Sequence, residues 1–439
     1  MGNKIHFIGI GGIGVSALAR YYLAQGWRVF GSDLKSSEII GDLKKLGAKI
    51  HIGAKSFKSQ LPDIVVYSPA VKSDNFELKD ARARGIKTMN YPEALGELTK
   101  IYTTIAVAGA HGKSTTTTMI GLMMIAAKLD PTVIVGTKVK EFGNSNFRQG
   151  KSKYLVIEAC EYDKSFLNYH PEIIVVTNIE MDHMECYKDE AELVSVFKQF
   201  AQNLGAGGKL VVCGDDANVA KMVSQLKDST AEIKRYSLAQ PEAETLRVNM
   251  KIPGEHNVAN GLAALAVGRE FGIADEKILA SLAKYKGSWR RFDQQSGSVG
   301  GKPITVVSDY GHHPTQIKLT MAAARQKWPK KNIICVFQPH QAWRTHLLFD
   351  EFVSVFKNHP LAKVFVVDIY QVAGRESAAI QKKVSSQKLV AAIGSGLVQY
   401  VPQKDIFKTL KKEIKGGEII LVMGAGDIYD LSKKLIAKK

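Results

Sequence analysis

A glycine-containing loop that ends in Gly112-Lys113-Ser114 carries the clearest chemical signal in this sequence. It follows the β-branched run Thr104–Val107 and precedes a threonine-rich segment. Backbone N–H groups of such a loop wrap phosphates, the lysine amine reaches the β- and γ-phosphate oxygens, and the serine hydroxyl binds Mg²⁺. Val107 stands where the strict GxxxxGK[ST] pattern has glycine, so the strand–loop–helix context supports the assignment. We predict that a nucleoside triphosphate is bound by Gly109, Ala110, His111, Gly112, Lys113, Ser114 and Thr115.

Two polar residues that follow other β-branched runs are candidates for chemistry beside that loop. Glu158 ends the run that starts at Tyr154, and His183 follows the run Ile173–Thr177. In an open parallel sheet, ligands bind beyond the carboxyl ends of the strands, so we expect Glu158 and His183 near the phosphate loop. A carboxylate suits Mg²⁺, which takes few protein ligands besides substrate phosphates. Candidates for supporting roles in the same segments are Glu161, Asp163 and Asp182.

A second glycine loop, Gly9–Gly14, matches GxGxxG between a predicted strand and a predicted helix. Its glycines let the backbone approach a diphosphate, and the helix N-terminus faces the negative charge. A nicotinamide cofactor, another nucleotide diphosphate and a tight turn without ligand are the alternatives, and we favour another nucleotide diphosphate. Asp33, which ends the next strand, either contacts a ribose or caps a turn. The predicted diphosphate site consists of Gly11, Gly12, Ile13, Gly14 and Asp33.

Short β-branched runs alternate with amphipathic helical stretches from end to end, a pattern typical of parallel α/β domains. The candidate strands are Lys4–Ile8, Arg28–Gly31, Ile64–Tyr67, Thr103–Ala108, Tyr154–Ala159, Ile173–Thr177, Lys209–Cys213, Thr305–Ser308, Asn332–Phe337, Lys363–Asp368 and Glu418–Met423. A length of 439 residues favours about three domains. We place boundaries near Leu98–Tyr102 and near Phe292–Lys302, and we interpret the second segment as a flexible turn. The predicted fold is α/β, with a Rossmann-like domain (1–99), a central P-loop ATPase domain with a parallel sheet (100–295) and a C-terminal Rossmann-like domain (296–439).

The composition excludes several classes of protein. Hydrophobic residues make up 45% and charged residues 23% of the chain, as in ordinary globular proteins. No apolar run approaches the roughly 20 residues that span a bilayer, and the N-terminus lacks a signal-peptide pattern, so we expect a cytoplasmic protein without a membrane partner. The four cysteines show no zinc-ligand spacing. The net charge of +18 comes from dispersed Lys and Arg residues without a nucleic-acid-binding motif; we therefore predict anionic small molecules as ligands and no nucleic acid.

Four separated segments together resemble the Mur ligases of peptidoglycan synthesis: AGAHGKSTTTT (108–118), EACEYDKSFL (158–167), TNIEMDHM (177–184) and PGEHNVANGLAAL (253–265). Further matches extend from residue 5 to about residue 428. The resemblance implies a three-domain enzyme that binds UDP in its first domain and ATP with Mg²⁺ in its second. It implies that the lactyl carboxylate of UDP-N-acetylmuramate becomes an acyl phosphate, which L-alanine then attacks. It also implies a monomer or a homodimer.

The same resemblance assigns roles to individual residues. Lys113, Glu158 and His183 would be catalytic; Ser114 and Glu158 would hold one Mg²⁺, and Glu158 and His183 a second. The predicted adenine contacts are His256 and Asn260, unless these two residues only cap a helix. Arg291, with its neighbour Arg290 as the alternative, and Asp309 would contact the nucleotide. The predicted acyl and amino-acid site contains Tyr310, His312, His340 and Arg344.

Three positions depart from the family pattern or leave it open. Gln341 stands where several members have arginine, so selectivity for L-alanine over glycine or L-serine is open. Cys160 stands where aspartate is common. Some members carry a carbamylated lysine that orders Mg²⁺; Lys198 is a candidate, although its phasing favours a lysine on a helix surface. The alternatives to L-alanine addition are the same acyl donor with glycine, L-serine or a recycled tripeptide, or else a nucleotide-dependent dehydrogenase or sensor.

Overall fold

The computed structural model describes residues 3–57, 61–226, 230–371, 376 and 378–436. The chain is built from three mainly parallel sheets with helices between their strands. This α/β architecture confirms the predicted fold class. No helix within the described ranges is both long and apolar enough to cross a membrane.

The first sheet has the order β3-β2-β1-β4-β5, and all its pairings are parallel. Its strands are β1 (Lys4–Ile8), β2 (Arg28–Asp33), β3 (Lys49–Ile52), β4 (Ile64–Tyr67) and β5 (Lys87–Asn90). Its helices are α1 (Ile13–Ala24), α2 (Glu38–Lys45), α3 (Phe76–Ala83) and α4 (Tyr91–Thr99). The central strand β1 is an apolar run because helices cover both faces, and Ile5 and Phe7 are fully buried. The parallel order brings the glycine loop after β1 and Asp33 at the end of β2 to one edge.

The second sheet has the order β12-β11-β10-β6-β9-β7-β8, with only β8 antiparallel to its neighbour. Its strands are β6 (Thr103–Ala108), β7 (Thr132–Val139), β8 (Ser145–Arg148), β9 (Tyr154–Glu158), β10 (Ile173–Val176), β11 (Lys209–Cys213) and β12 (Glu232–Tyr236). The helices in this part of the chain are α5 (Lys113–Ala126), α6 (Glu190–Ala201), α7 (Ala217–Ser224), α8 (Pro241–Asn249), α9 (Glu255–Glu270) and α10 (Asp275–Leu282). Short 3₁₀ segments span Lys140–Phe142 and Tyr162–Asn168. The phosphate loop follows β6, so the ends of its neighbours β9 and β10 flank that loop on either side.

The third sheet has the order β13-β14-β18-β15-β16-β17. Its strands are β13 (Asp293–Val299), β14 (Lys302–Asp309), β15 (Ile333–Phe337), β16 (Lys363–Val366), β17 (Val398–Tyr400) and β18 (Ile419–Met423). The helices are α11 (Pro314–Lys327), α12 (Ala342–Leu347), α13 (Phe349–Lys357), α14 (Ala378–Lys383), α15 (Ser386–Ile393), α16 (Ile406–Glu413) and α17 (Tyr429–Ile436), with a 3₁₀ turn at Gln403–Asp405. Strand β13 is antiparallel to β14, and the other pairings are parallel.

The segment Phe292–Lys302 corrects one sequence-based interpretation. Instead of a flexible turn, most of it is strand β13, and only Gly300 and Gly301 form the turn to β14. Both glycines have positive φ, 59° and 80°, as a two-residue hairpin turn requires. The strand is rich in glutamine, serine and glycine because it lies at the edge of the sheet with part of its surface exposed. It therefore lacks the apolar run by which strands were recognised.

The described chain divides into two compact units. One unit comprises residues 1–243 and 259–283 and contains the first and second sheets. The other comprises residues 244–258 and 284–439 and contains the third sheet. The predicted domain limits remain a prediction, and the limit at 295/296 lies within β13.

Candidate active site

The phosphate loop needs glycine at two positions for steric reasons. Gly109 and Gly112 have φ values of 136° and 85°, a region that side chains other than glycine rarely adopt. A Cβ atom on Gly109 would overlap the Thr177 hydroxyl, and one on Gly112 would overlap the Asn260 carboxamide. Helix α5 then begins at Lys113. The sequence therefore forms a tight phosphate-loop geometry although Val107 replaces the first glycine of the strict pattern.

Asn178 and Thr177, directly after β10, hold the loop through its backbone. The N–H of His111 donates to Asn178 Oδ1 at 2.8 Å, and Asn178 Nδ2 donates to the His111 carbonyl at 2.9 Å. The Thr177 hydroxyl donates to the same carbonyl at 2.6 Å. The N–H of Ala110 donates to the Asn178 carbonyl at 3.2 Å. The loop is thus pre-organised by the strand beside it.

The amine of Lys113 is folded back into its own loop. Its Nζ lies 2.9 Å from Glu161 Oε2 and 3.2 Å from Glu161 Oε1, and it donates to the carbonyls of Gly109 and Ala110 at 2.5 and 3.3 Å. Burial alone would lower the pKa of Lys113, yet the Glu161 carboxylate raises this pKa above the ordinary lysine value. Lys113 is therefore charged, and Glu161 is its counter-ion.

Glu158 and His183 lie around the same amine. The charge of Glu158 contributes to the raised pKa of Lys113, and Glu158 Oε1 accepts a hydrogen bond from the Gly136 N–H at 2.5 Å. His183 Nε2 is 4.0 Å from Glu161 Oε1. The structure thus brings Lys113, Glu158, Glu161 and His183 together, as the strand order requires.

The surroundings of His183 are acidic and aromatic. Its ring packs edge-on against Tyr162, with centroids 4.9 Å apart, and its Nδ1 is 3.9 Å from Glu185 Oε1. Burial alone would lower the pKa of His183, but Glu185 and Asp182 raise it above the ordinary histidine value. Of the supporting candidates, Asp182 is buried beside His183, whereas Asp163 is exposed.

Hydroxyl, carboxylate and imidazole groups make up a donor set that can hold a divalent cation. Ser114, Glu158 and His183 supply these groups; Ser114 is buried at the start of α5. The two oxygen donors are of the type that Mg²⁺ prefers. Cys160 lies two residues after Glu158, and burial raises the pKa of its thiol to about 12. Lys198 is half-buried on α6, and its carbamylation remains a prediction.

Asn260 and His256 fall in different surroundings. Asn260 is buried, and its Oδ1 accepts a hydrogen bond from the Thr116 hydroxyl at 3.1 Å, so it packs against the phosphate loop and α5. His256 lies in the other compact unit, close to Gly254, where a Cβ atom would come within 2.6 Å of the His256 ring. Adenine contact by either residue remains a prediction.

The glycine loop Gly9–Gly14 is held by Asp33. The N–H of Gly11 donates to Asp33 Oδ2 at 2.8 Å, and the N–H groups of Gly9 and Ile10 donate to the Ser32 carbonyl. A Cβ atom on Gly14 would lie 2.8 Å from the half-buried ring of Tyr91. Asp33 thus has the turn-capping contact that was one of its two predicted roles. Gly12 is exposed just before α1 begins at Ile13.

The two adjacent arginines of the unit that contains the third sheet differ in their contacts. Arg290 is 7% exposed; its guanidinium lies 4.9 and 5.1 Å from the ring centroids of Tyr310 and Tyr429 and donates to the carbonyls of Gly424 and Gly426. Arg291 is only half-buried, 5.0 Å from the centroid of the Tyr310 ring. Arg290 therefore serves the packing of the loop Gly424–Gly426, which follows β18.

Asp309 ends β14 and organises the backbone around it. Its carboxylate accepts hydrogen bonds from the N–H groups of Phe292 and Gly311, both at 2.8 Å. Burial raises the pKa of Asp309, although the charge of Arg291 opposes this shift. Asp309 thus fixes the turn that leads to Tyr310.

The predicted acyl and amino-acid residues form one contiguous group. The ring centroids of Tyr310 and His312 are 5.3 Å apart, and those of His312 and His340 are 5.8 Å apart. Arg344 Nη1 lies 3.3 Å from His340 Nδ1 and donates to Gln341 Oε1 at 3.2 Å. Gln341 is buried with a positive φ of 71°, so the residue that departs from the family pattern orients Arg344.

Sequence reasoning missed the residues that support the loop. It named Glu161 only for a supporting role and assigned no role to Thr177, Asn178 or Tyr91. Thr177 and Asn178 could have been found from their position directly after a buried strand that lies next to the strand that carries the phosphate loop.

Comparisons with known proteins agree with this fold. Three family models match in chain order: the Mur ligase family catalytic domain (4–103), the Mur ligase middle domain (107–247) and the Mur ligase glutamate ligase domain (290–426). The fold and the phosphate loop define a nucleotide-binding α/β protein. The chain belongs to the Mur ligase family, because relatives of that family match it over its whole length.

Among these relatives is the UDP-N-acetylmuramate–L-alanine ligase of Acetivibrio thermocellus, 39% identical, with 100% of this chain and 96% of the relative covered. The enzyme of the same name from Clostridium tetani is 37% identical, with 97% and 96% covered. The solved structure of UDP-N-acetylmuramate-alanine ligase from Thermotoga maritima has a TM-score of 0.79 and 25% identity, with 99% of this chain and 98% of the other covered. A murein peptide ligase from Psychrobacter arcticus shares the fold at a TM-score of 0.73, with 22% identity and the same coverage.

Proposed function

We propose that this chain is an ATP-dependent ligase that joins L-alanine to the lactyl carboxylate of UDP-N-acetylmuramate. The observation that carries the proposal is the full-length identity of 37–39% with enzymes of that name. The arrangement of Lys113, Glu158 and His183 around one phosphate loop also supports this proposal, because it suits the chemistry of phosphoryl transfer.

The reaction needs an activated carboxylate, because a carboxylate anion is a poor acyl donor at neutral pH. A carboxylate oxygen attacks the γ-phosphorus of ATP, the bond to the β–γ bridging oxygen breaks, and ADP leaves. The acceptor nitrogen then attacks the acyl carbon, inorganic phosphate leaves, and the amine loses a proton. Phosphoryl transfer is catalysed mainly by positioning and by charge neutralisation. Lys113 supplies the positive charge, and the N–H groups of the loop position the phosphates.

Magnesium fits the donor set of Ser114, Glu158 and His183 at the carboxyl-terminal edge of the second sheet. Ser114 and Glu158 would hold one ion, and Glu158 and His183 a second, as the chemistry of their oxygen and nitrogen donors allows. The bound metal would offset the repulsion between the anionic phosphates and the substrate carboxylate. Glu158 is held in place by the Gly136 N–H, so its position precedes any binding event.

The remaining ligands are assigned to the predicted domains 1–99, 100–295 and 296–439. We assign UDP to Gly11, Gly12, Ile13 and Gly14 at the partly exposed start of α1. Arg291 is the better nucleotide contact of the arginine pair, because Arg290 is already bound to the Gly424 and Gly426 carbonyls.

The proposed nucleotide contacts also include Asp309, His256 and Asn260. We assign the acceptor amino acid to the group around His340 and Arg344. We place the enzyme in the cytoplasm, where thiols such as those of Cys160 and Cys335 stay reduced, as a monomer or a homodimer.

The test is phosphate release from ATP and Mg²⁺ in the presence of UDP-N-acetylmuramate. The acceptors are L-alanine, glycine, L-serine and the tripeptide, and the product mass is measured in the same samples. We expect release and the matching product mass with L-alanine. Preference for the tripeptide would assign the enzyme to recycling, and no release with any acceptor would refute the ligase assignment.

A further inference from the structure

Glu161 is a fully buried carboxylate to which the proposed reaction gives no role. Its side chain is only 3% exposed. It follows the last residue of β9 by three positions, and its backbone carbonyl accepts a hydrogen bond from the Tyr187 hydroxyl. The carboxylate is therefore held at one place beside the phosphate loop.

The Lys113 amine has all of its hydrogen-bonding capacity in use. An ammonium group has three N–H donors, and four acceptors surround Lys113 Nζ within 3.3 Å: both Glu161 oxygens and the carbonyls of Gly109 and Ala110. A nucleotide phosphate that approaches this amine must replace at least one of these acceptors. Among the four, Glu161 is the only full charge, so it is the strongest competitor for the lysine.

We propose that Glu161 is a positioning residue that competes with the nucleotide phosphates for Lys113. Before the nucleotide binds, Glu161 keeps the buried amine charged and inside the loop. When the β- and γ-phosphates enter, Lys113 exchanges the carboxylate for phosphate oxygens. The competition lowers nucleotide affinity but keeps the loop preformed. This inference rests on the proposed nucleotide site and goes beyond it.

Glu161→Gln removes the charge and keeps the shape of the side chain. We expect nucleotide binding to become about tenfold tighter, the change that corresponds to about 1.4 kcal/mol for one charged hydrogen bond. The assay is titration with a fluorescent ATP analogue without acceptor or UDP substrate, so ligase activity is not needed. Tighter binding is a readout that a merely structural role would not produce, since loss of a structural contact loosens the site. Unchanged or weaker binding by folded protein would overturn the proposal.

A double-mutant cycle separates competition for Lys113 from simple repulsion of the phosphates. In a Lys113→Met background, Glu161→Gln should leave the affinity unchanged when nucleotide is titrated into the millimolar range. An equal tightening in that background would overturn the proposal in favour of repulsion. If neither Lys113→Met variant binds, all measurable affinity depends on Lys113, and the single variant decides.

Two further variants control the experiment. Glu192→Gln removes a half-buried carboxylate that is 3.0 Å from Lys164 in the same compact unit, and it should leave nucleotide affinity unchanged. Glu161→Asp keeps the charge but draws it back from Lys113. If Glu161→Gln does not fold, Glu161→Asp should still tighten binding by a smaller factor, and no tightening there would overturn the proposal. Wild-type protein that binds no nucleotide would refute the proposed function instead.

Discussion

Replacing Asn178 by alanine removes two of the contacts that shape the phosphate loop. The wild-type side chain accepts from the His111 N–H at 2.8 Å and donates to the His111 carbonyl at 2.9 Å. In the variant the Thr177 hydroxyl and the backbone of residue 178 still hold this part of the loop, and His111 keeps its side-chain contact with Glu180 at 2.6 Å. The backbone N–H groups that should face phosphate then lose their fixed orientation.

The size of the effect follows from these two hydrogen bonds. A hydrogen bond of this kind contributes about 1 kcal/mol net, so the pair contributes about 2 kcal/mol to the ordered loop. If the nucleotide must restore that order, its binding weakens about 30-fold, since 1.4 kcal/mol corresponds to tenfold. The free energy of unfolding should also fall by about 2 kcal/mol.

Titration with a fluorescent ATP analogue and urea unfolding measure the two quantities. Asn203→Ala is the matched control, because Asn203 also makes two hydrogen bonds to the backbone, with the carbonyls of Leu167 and Tyr169 at 2.9 and 3.0 Å. Both variants should lose similar stability, but only Asn178→Ala should lose nucleotide affinity. Equal nucleotide affinity in the two variants would refute the assignment of loop positioning to Asn178.

Three further perturbations follow from particular contacts. Glu158→Gln should shift the midpoint of magnesium activation about tenfold upward, because a carboxylate ligand is lost; an unchanged titration would remove Glu158 from the metal site. Gly109→Ala places a Cβ atom against Thr177 and should lower the free energy of unfolding by at least about 2 kcal/mol. Gly143 also has a positive φ but open space around it, so Gly143→Ala should lower the free energy of unfolding by less. Equal losses would argue against the steric explanation. Burial, and to a smaller extent the charge of His51, lowers the pKa of His6 to about 3. The neutral imidazole therefore stabilises the fold above pH 6.5, and this stability is lost as the pH falls from 6.5 towards 3. His6→Gln should therefore lose about 2 kcal/mol less than wild type between pH 7 and pH 5 in urea unfolding, and parallel losses would contradict the low pKa.

The strands that the sequence predicted correctly are the buried ones. All eleven candidate strands overlap strands of the structure, because parallel strands covered on both faces are nearly continuous apolar runs. The sequence did not predict β7, which is buried and lies inside the second sheet. The other strands that it did not predict are β3, β5, β8, β12, β13 and β17. These strands lie at sheet edges, where exposed positions take polar residues and the apolar run disappears.

The chemically important residues of the site could also be predicted from the sequence. Gly109, Gly112, Lys113 and Ser114 lie next to one another in the chain, so their types and spacing alone predicted a phosphate loop. The positions of Glu158 and His183 near that loop followed from one further rule, that the carboxyl ends of parallel strands meet at one edge.

Which side chains meet across the loop was decided by the tertiary structure. Because β6 lies between β9 and β10, Glu161 reaches Lys113 from one neighbouring strand and Asn178 reaches His111 from the other. The residues in each of these contacts are about 50 to 70 positions apart in the chain, and no local pattern encodes a distance between them.

The same limit applies to the paired arginines in the other unit. The sequence could not say whether Arg290 or Arg291 is bound to its own fold, because both have the same chemistry. The carbonyls of Gly424 and Gly426, more than 130 residues away, decide this by accepting hydrogen bonds from Arg290. Residue types and spacing thus specified the available chemistry and most of the strands that carry it, while the strand order and the packing of buried side chains determined which groups are paired before any ligand binds.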